Sequence, residues 1–387
     1  EKSGGGRTPL GQATATRPDE AEGHLGLGRA CARLHMNDEA LAALLESTRL
    51  EGTNGEAFAA LADLHAAMGD RELAVRAYEK ATELDPGEEP VLRRYAALLT
   101  ELGRHPEAAA AFAKIAKLSA DDPDAQLALG RAHAAGGAWE AARDAFRAAA
   151  HATPDRADPH RELARACVAL GAHEDAALAF KKLLGVASHD PEALAGLGAA
   201  YLALGREVDA VDPLTKVVEL RPEDPALRAQ LGGALFALGR VESAIPHLAK
   251  AAELVPRDAD ALLVLGRAQA DKGDHAQAVN ALRRAADVAP ARLDIARALG
   301  ASAAALGQHE LAAITWERVT KAEAEDADAW VALSRARLAL ADPVRAAEAL
   351  REALGHRPAE PALHAELGDL WMKVDRHADA LASYESA

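Results

Sequence analysis

Residues 191–224 read PEALAGLGAAYLALGREVDAVDPLTKVVELRPED. Apolar residues recur here with a helical period in two runs, one from Pro191 to about Leu204 and one from about Val208 to Leu220. Asp190 is a natural N-cap, and Pro191 suits the first helical position, where its missing N–H leaves no bond unmade. Gly205 stands where the chain must leave the first helix through a left-handed turn. Small residues, Gly198 and Ala210, fall where the two helices must approach closely. Leu194, Leu197, Tyr201 and Leu214 fall on inward faces, and Pro222 ends the unit.

The same pattern returns at a fixed period of 34 residues. Full repeats begin at Ala21, Gly55, Glu89, Pro123, Ala157, Pro191, Pro225, Ala259, Leu293 and Ala327, and an eleventh, cut short, begins at Pro361. Position 15 is glycine at Gly69, Gly103, Gly137, Gly171, Gly205, Gly239, Gly273 and Gly307. His35, Ala341 and Asp375 replace it in the remaining repeats, where the turn is expected to be looser or to pass its left-handed conformation to a neighbour. Position 20 is alanine in every repeat, from Ala40 to Ala380. This spacing resembles the tetratricopeptide repeat (TPR): a large residue at 4, Leu-Gly at 7 and 8, a Tyr-like residue at 11, Ala at 20, a large residue at 24 and Pro at 32. The resemblance implies an all-α fold, a right-handed α-solenoid superhelix whose first helices line a concave groove and whose second helices face outward. Stacking would bury the apolar face that each helix pair exposes alone. Residues 1–20, EKSGGGRTPLGQATATRPDE, carry no helical period and read as a flexible linker ahead of an array spanning 21–387. Starting without Met and stopping inside a repeat, the chain reads as a segment of a longer protein, with an open last repeat able to self-associate.

Composition narrows the function classes. The net charge of −16 argues against a nucleic-acid partner, which needs a basic face. No apolar run approaches the roughly 18 residues of a membrane span, so no membrane insertion is expected. The abundance of Ala, Arg and Gly suggests a bacterial source, and the two unpaired thiols a cytoplasmic one. Cys31 and Cys167 both fall at position 11, four repeats apart, too far for a disulfide in a solenoid and placed as small core residues. Ten of the fifteen histidines fall on packing positions: His105, His173, His275, His309 and His377 at 17, His24, His160 and His364 at 4, and His65 and His133 at 11. Equivalent positions in neighbouring repeats lie about 10 Å apart, too far to share a zinc ion. Gly196-Leu197-Gly198 resembles a dinucleotide loop but lacks a preceding strand. No P-loop or nucleophile elbow occurs, so neither catalysis nor a cofactor is expected.

The groove positions are the informative ones. Phe236 alone among the aromatic residues falls at position 12, with Leu202 and Val168 at the same position in the two preceding repeats. Position 12 is half buried in such arrays, so packing is one explanation and an apolar anchor for a partner the other. Positions 5 and 9 hold Arg29, Arg93, Arg131, Arg161, Arg165, Arg267, Arg297 and Arg335, against only Asp63 and Asp369. Acids one turn away account for part of this. Arg161 and Arg165, however, are like charges at i, i+4, which an incoming carboxylate would relieve. The Lys/Asn pair with which chaperone-binding TPR domains hold a terminal carboxylate is missing. So is the asparagine ladder of the N-acetylglucosamine transferase, and the period and charge differ from RNA-reading pentatricopeptide arrays. These residues therefore point to a protein-interaction scaffold. Its groove would bind a protein or peptide through Phe236, Leu202 and Val168 as apolar anchors and Arg131, Arg161, Arg165 and Arg267 as acid-binding ones. Two alternatives stand beside it: the substrate-docking arm of a larger enzyme such as a glycosyltransferase, and a platform for a folded partner such as a small GTPase.

Overall fold

A computed structural model of the chain describes residues 20–119 and 122–387. The expected linker lies outside the described residues, except for Glu20, which precedes the first helix. Among the described residues there are 22 helices and no strand, arranged as consecutive helix pairs. Each first helix begins on the residue at which a 34-residue repeat begins, from Ala21 through Pro191 to Pro361. In the repeat that opened the sequence reading, the helices run Pro191–Ala203 and Glu207–Leu220.

Two rows of residues hold each pair together. The position-20 alanines from Ala40 to Ala346 are completely buried, and Ala380 is 1 % exposed. No side chain beyond a methyl group fits at that crossing. The partner row is position 8 against position 24. A Cβ added at Gly198 would lie 2.6 Å from Leu214 Cδ2, and one at Gly130 would lie 2.4 Å from Phe146 Cε1. Glycine there lets a large side chain lie flat on the opposite helix backbone. Burying such a side chain contributes about 1.5–3 kcal/mol. Where position 8 is a serine, its hydroxyl donates across the pair, Ser334 Oγ to the Ala346 carbonyl at 2.7 Å.

The turns follow one backbone path regardless of residue type. All eight position-15 glycines have positive φ, and so do His35 (60°), Ala341 (58°) and Asp375 (58°). The left-handed conformation is not passed to a neighbour; packing on both sides fixes it at position 15, and the three side chains bear the strain. First helices are commonly capped by the preceding residue: the carboxylates of Asp122, Asp190, Asp224, Asp258 and Asp326 and the amide oxygen of Asn54 accept backbone N–H bonds. Pro213 and Pro246 sit inside the second helices Glu207–Leu220 and Val241–Leu254, past the first turn, and each helix continues beyond its proline.

The array divides into two compact units, one ending at Ala193 and the other beginning at Leu194. Within each unit the first helices of successive repeats touch, Ala21–Arg33 with Gly55–Met68 in one and Pro225–Ala237 with Ala259–Asp271 in the other. Successive second helices do not approach as closely among the described residues. Each unit therefore curves with its first helices inside, which makes positions 5, 6, 9, 12 and 13 the inner face.

Candidate functional site

In the unit ending at Ala193, the inner face is closed by ion pairs that step from each repeat to the next. Arginines at position 5 reach the N-cap aspartate of the following repeat: Arg93 reaches Asp122, and Arg161 donates to Asp190 at 2.7 Å. Arginines at position 9 reach an acid at position 2 or 6 of the following repeat, Arg29 to Glu56 at 2.6 Å, Arg131 to Glu162 at 3.2 Å and Arg165 to Glu192 at 2.7 Å. Glu162 also lies 3.8 Å from Arg165. The repulsion between Arg161 and Arg165 inferred from their spacing is thus already answered from within the chain. An incoming carboxylate there has to displace an existing partner. Val168 stands open on this face, 49 % exposed.

The inner face of the second unit begins differently. At positions 5, 6, 9, 12 and 13, repeats 6 and 7 place Ala195, Gly196, Ala199, Leu202 and Ala203, then Ala229, Gln230, Gly233, Phe236 and Ala237, with no charge among them. Helices Pro191–Ala203 and Pro225–Ala237 are apolar nearly all round, a composition that a helix with one open face does not need for solubility. Ala199 is exposed, while Leu202 and Phe236 are half-buried. The side-chain oxygen of Gln230 is buried with no hydrogen-bond partner. In the next repeat, Arg267 is exposed beside a pocket of about 290 Å³. Beyond it the ladder resumes, Arg297 to Asp326 at 2.8 Å and Arg335 to Glu366 at 3.4 Å.

Several residues that the sequence left unexplained have structural partners. The two acids at position 9, Asp63 and Asp369, belong to the repeats with tyrosine at position 24: Tyr78 donates to Asp63, and Tyr384 to Asp369 at 2.7 Å. Burial, reinforced by that carboxylate, pushes the Tyr78 hydroxyl well above its ordinary pKa. Polar residues at position 4 bond to the position-32 carbonyl of the preceding repeat: His160 to Pro154 and His364 to Pro358, both at 2.9 Å, and Trp330 to Ala324 at 2.8 Å. Spacings of 15 or 6 residues in the chain, read against the repeat, carried this signal. Cys31 and Cys167 are buried free thiols, and burial raises the pKa of both. Among the described residues no group of three His, Cys, Asp or Glu is placed to hold a metal ion, and no helix is long and apolar enough to cross a membrane. On the outer side, a cleft of about 520 Å³ between the second helices of repeats 9 and 10 is floored by Trp330 and Arg337, whose guanidinium is held by Glu317.

The helix pairs and their 34-residue step agree with comparison to a known family of sequences. The tetratricopeptide-repeat family model matches residues 59–123, 99–159, 127–190, 161–225, 229–292 and 331–387. The chain belongs to the tetratricopeptide-repeat family, and its arrays serve in general as scaffolds for protein interaction. Among solved structures it is similar to YrrB, a TPR protein with an unusual peptide-binding site, at 23 % identity and a TM-score of 0.45 over 49 % of this chain and 98 % of that one. A structure of Naa15/Naa10 bound to HypK-THB matches at 16 % identity and a TM-score of 0.52, over 97 % of this chain and 64 % of that one, just under two thirds of its length. A crystal structure of MamA matches at 25 % identity and a TM-score of 0.38, over 43 % of this chain and 92 % of that one. A comparison with curated proteins finds no match.

Proposed function

We propose that this chain is a protein-interaction scaffold, and that the uncharged inner face of repeats 6 and 7 holds a segment of a protein partner. The absence of charge at positions 5, 6, 9, 12 and 13 of those two first helices carries the reading. In repeats 1, 3, 4, 5, 9 and 10 the inner face instead carries arginine–carboxylate pairs. Here the floor is alanine and glycine, so a partner backbone comes close, and Leu202 and Phe236 flank it as apolar anchors. Gln230 is the one polar side chain among those positions, and its oxygen is buried without a hydrogen-bond partner. YrrB, described as having a peptide-binding site, lends this reading support by its description only.

The test is affinity capture from the native host, with wild type beside two double variants, L202A/F236A and R161A/R165A. Circular dichroism first establishes that both are folded. We expect the captured partner to fall by about tenfold or more on L202A/F236A, the loss typical of interface anchors. On R161A/R165A it should be retained. Equal capture on L202A/F236A and wild type would move the contact off this face.

A further inference from the structure

The arginines of the inner face obey a pairing rule, and one of them breaks it. At position 9, Arg29, Arg131, Arg165 and Arg335 each hold a glutamate at position 2 or 6 of the following repeat, at 2.6, 3.2, 2.7 and 3.4 Å. Arg267 occupies position 9 of repeat 8, and no carboxylate oxygen lies within ion-pair distance of it among the described residues. Both of its expected partners are lost for identifiable reasons. Position 2 of the next repeat is Asp294, but Arg292 grips both oxygens of that carboxylate, at 3.1 and 2.7 Å. The Arg292 guanidinium keeps Asp294 below the usual carboxylate range, and Arg267 adds to this only through space. Position 6 of the next repeat is Ala298.

Repeat 4 provides a natural control. Arg156 there occupies the place of Arg292 and likewise draws on the position-2 acid Asp158, at 3.8 Å. Yet Arg131 keeps a partner, because position 6 of repeat 5 is Glu162. Repeat 9 lacks that second acid. What remains beside Arg267 is the pocket of about 290 Å³, floored by Ala270, Ala298 and Ala301. Arg297 on its far wall is already held by Glu323 and Asp326.

We propose that Arg267 and this pocket form a carboxylate socket, which takes an aspartate or glutamate side chain of the bound partner segment. The partner would supply the acid that the chain itself supplies at the same point in the other repeats. The proposal rests on the reading of repeats 6 and 7 as a segment-binding face and adds the chemistry of the ligand: an apolar stretch followed by an acid. A guanidinium offers a carboxylate two parallel N–H bonds, stronger than neutral contacts, and the alanine floor leaves room for the side chain that carries it. Asp271, one turn beyond Arg267 and also lining the pocket, is the charge that opposes the ligand.

The experiment uses random twelve-residue peptides displayed on phage with no free C-terminus, selected on the whole chain as wild type, R267E and L202A/F236A. Wild type should enrich peptides with Asp or Glu at a fixed offset from an apolar residue, and R267E should enrich Lys or Arg at that offset. Synthetic peptides from the wild-type pool should lose about tenfold in affinity on Glu→Gln, as expected for a hydrogen bond to a charged group. They should lose nothing on that change when tested against R267A, and should bind D271N more tightly than wild type. Indifference of the selected peptides to the charge at residue 267 overturns the socket. If they still need Leu202 and Phe236, the segment-binding face survives that failure. No enrichment on wild type over a blank surface removes both. A peptide that loses affinity on C-terminal amidation but not on Glu→Gln shows a terminal carboxylate as the ligand and overturns the side-chain assignment.

Discussion

Repeats 4 and 5 and repeats 6 and 7 have cores built on the same rows and present contrasting inner faces. In both regions a glycine or alanine at position 8 receives a large side chain from position 24, and the position-20 alanines are completely buried. On the inner face, repeats 4 and 5 carry Arg131, Arg161 and Arg165 in ion pairs with acids of the following repeat, whereas repeats 6 and 7 carry alanine, glycine, Leu202 and Phe236. The rows that build the fold therefore leave the inner face free to vary. Where the face is ionic it acts as a strap between neighbours. Where it is bare it is available.

If the cores are equivalent, cutting either should cost the same. Phe146, 1 % exposed, and Leu214, fully buried, both lie on a position-8 glycine. We expect Phe146→Ala to cost about 3–5 kcal/mol and Leu214→Ala about 2–5 kcal/mol in denaturant unfolding. Gly198→Ala should cost about 1–3 kcal/mol alone by overpacking Leu214. Combined with Leu214→Ala it should cost less than the sum, because the new methyl enters vacated space. A Leu214→Ala cost below about 1 kcal/mol would show that repeat 6 is packed more loosely than repeat 4, and the comparison would then be one of cores and not of faces.

The second contrast is between two N-caps. Asp190 and Asp224 each accept two backbone N–H bonds at the start of a first helix, but only Asp190 also holds an arginine. Burial pushes the Asp190 carboxyl up, and the Arg161 guanidinium with the two N–H groups outweighs this, so its pKa lies below the usual range. A carboxyl with a depressed folded pKa contributes stability that is present above its unfolded value, about 3.9, and is lost as pH falls through the folded value. Asp190→Asn keeps the cap and removes the charge. It should lower stability at pH 7 by about 1–2 kcal/mol, with the difference from wild type shrinking as pH falls below about 3.9 and gone only below the folded pKa. Asp224→Asn, which keeps the cap and breaks no ion pair, should change stability by a few tenths of a kcal/mol at pH 7. Equal effects at the two sites would mean that the arginine strap contributes nothing.

The repeat spacing, the buried alanine row and the glycine seats were legible because they recur at one period and rest on size alone. The left-handed turns at His35, Ala341 and Asp375 were half legible: the positions were marked, but the residues gave no sign that the backbone would keep its course. The straps were not legible to a search for partners one turn away, since Arg161 meets Asp190 and Arg165 meets Glu192 across 29 and 27 residues. Such pairs become visible only when residues are compared one period apart. The meaning of Arg267 was hidden for the same reason, because its neighbours in the chain do not reveal that Arg292 has taken its acid.

The smallest effect separates the two kinds of inner-face arginine most directly. Arg131 and Arg267 both stand at position 9 and are both exposed, one paired with Glu162 at 3.2 Å and the other without an ion-pair partner among the described residues. Arg131→Ala breaks an exposed pair and should cost no more than about 1 kcal/mol, falling towards zero in molar salt as screening removes the attraction. Arg267→Ala breaks no pair, so its effect on stability should lie within about 0.5 kcal/mol and should not depend on salt. Partner capture should invert that order, with Arg131→Ala neutral and Arg267→Ala weakened. The same truncation at the same place in two repeats would then remove a strap in one and a binding contact in the other. A salt-dependent loss of stability in Arg267→Ala would instead reveal Asp271 or Asp294 as its partner in solution, and would return Arg267 to the ladder.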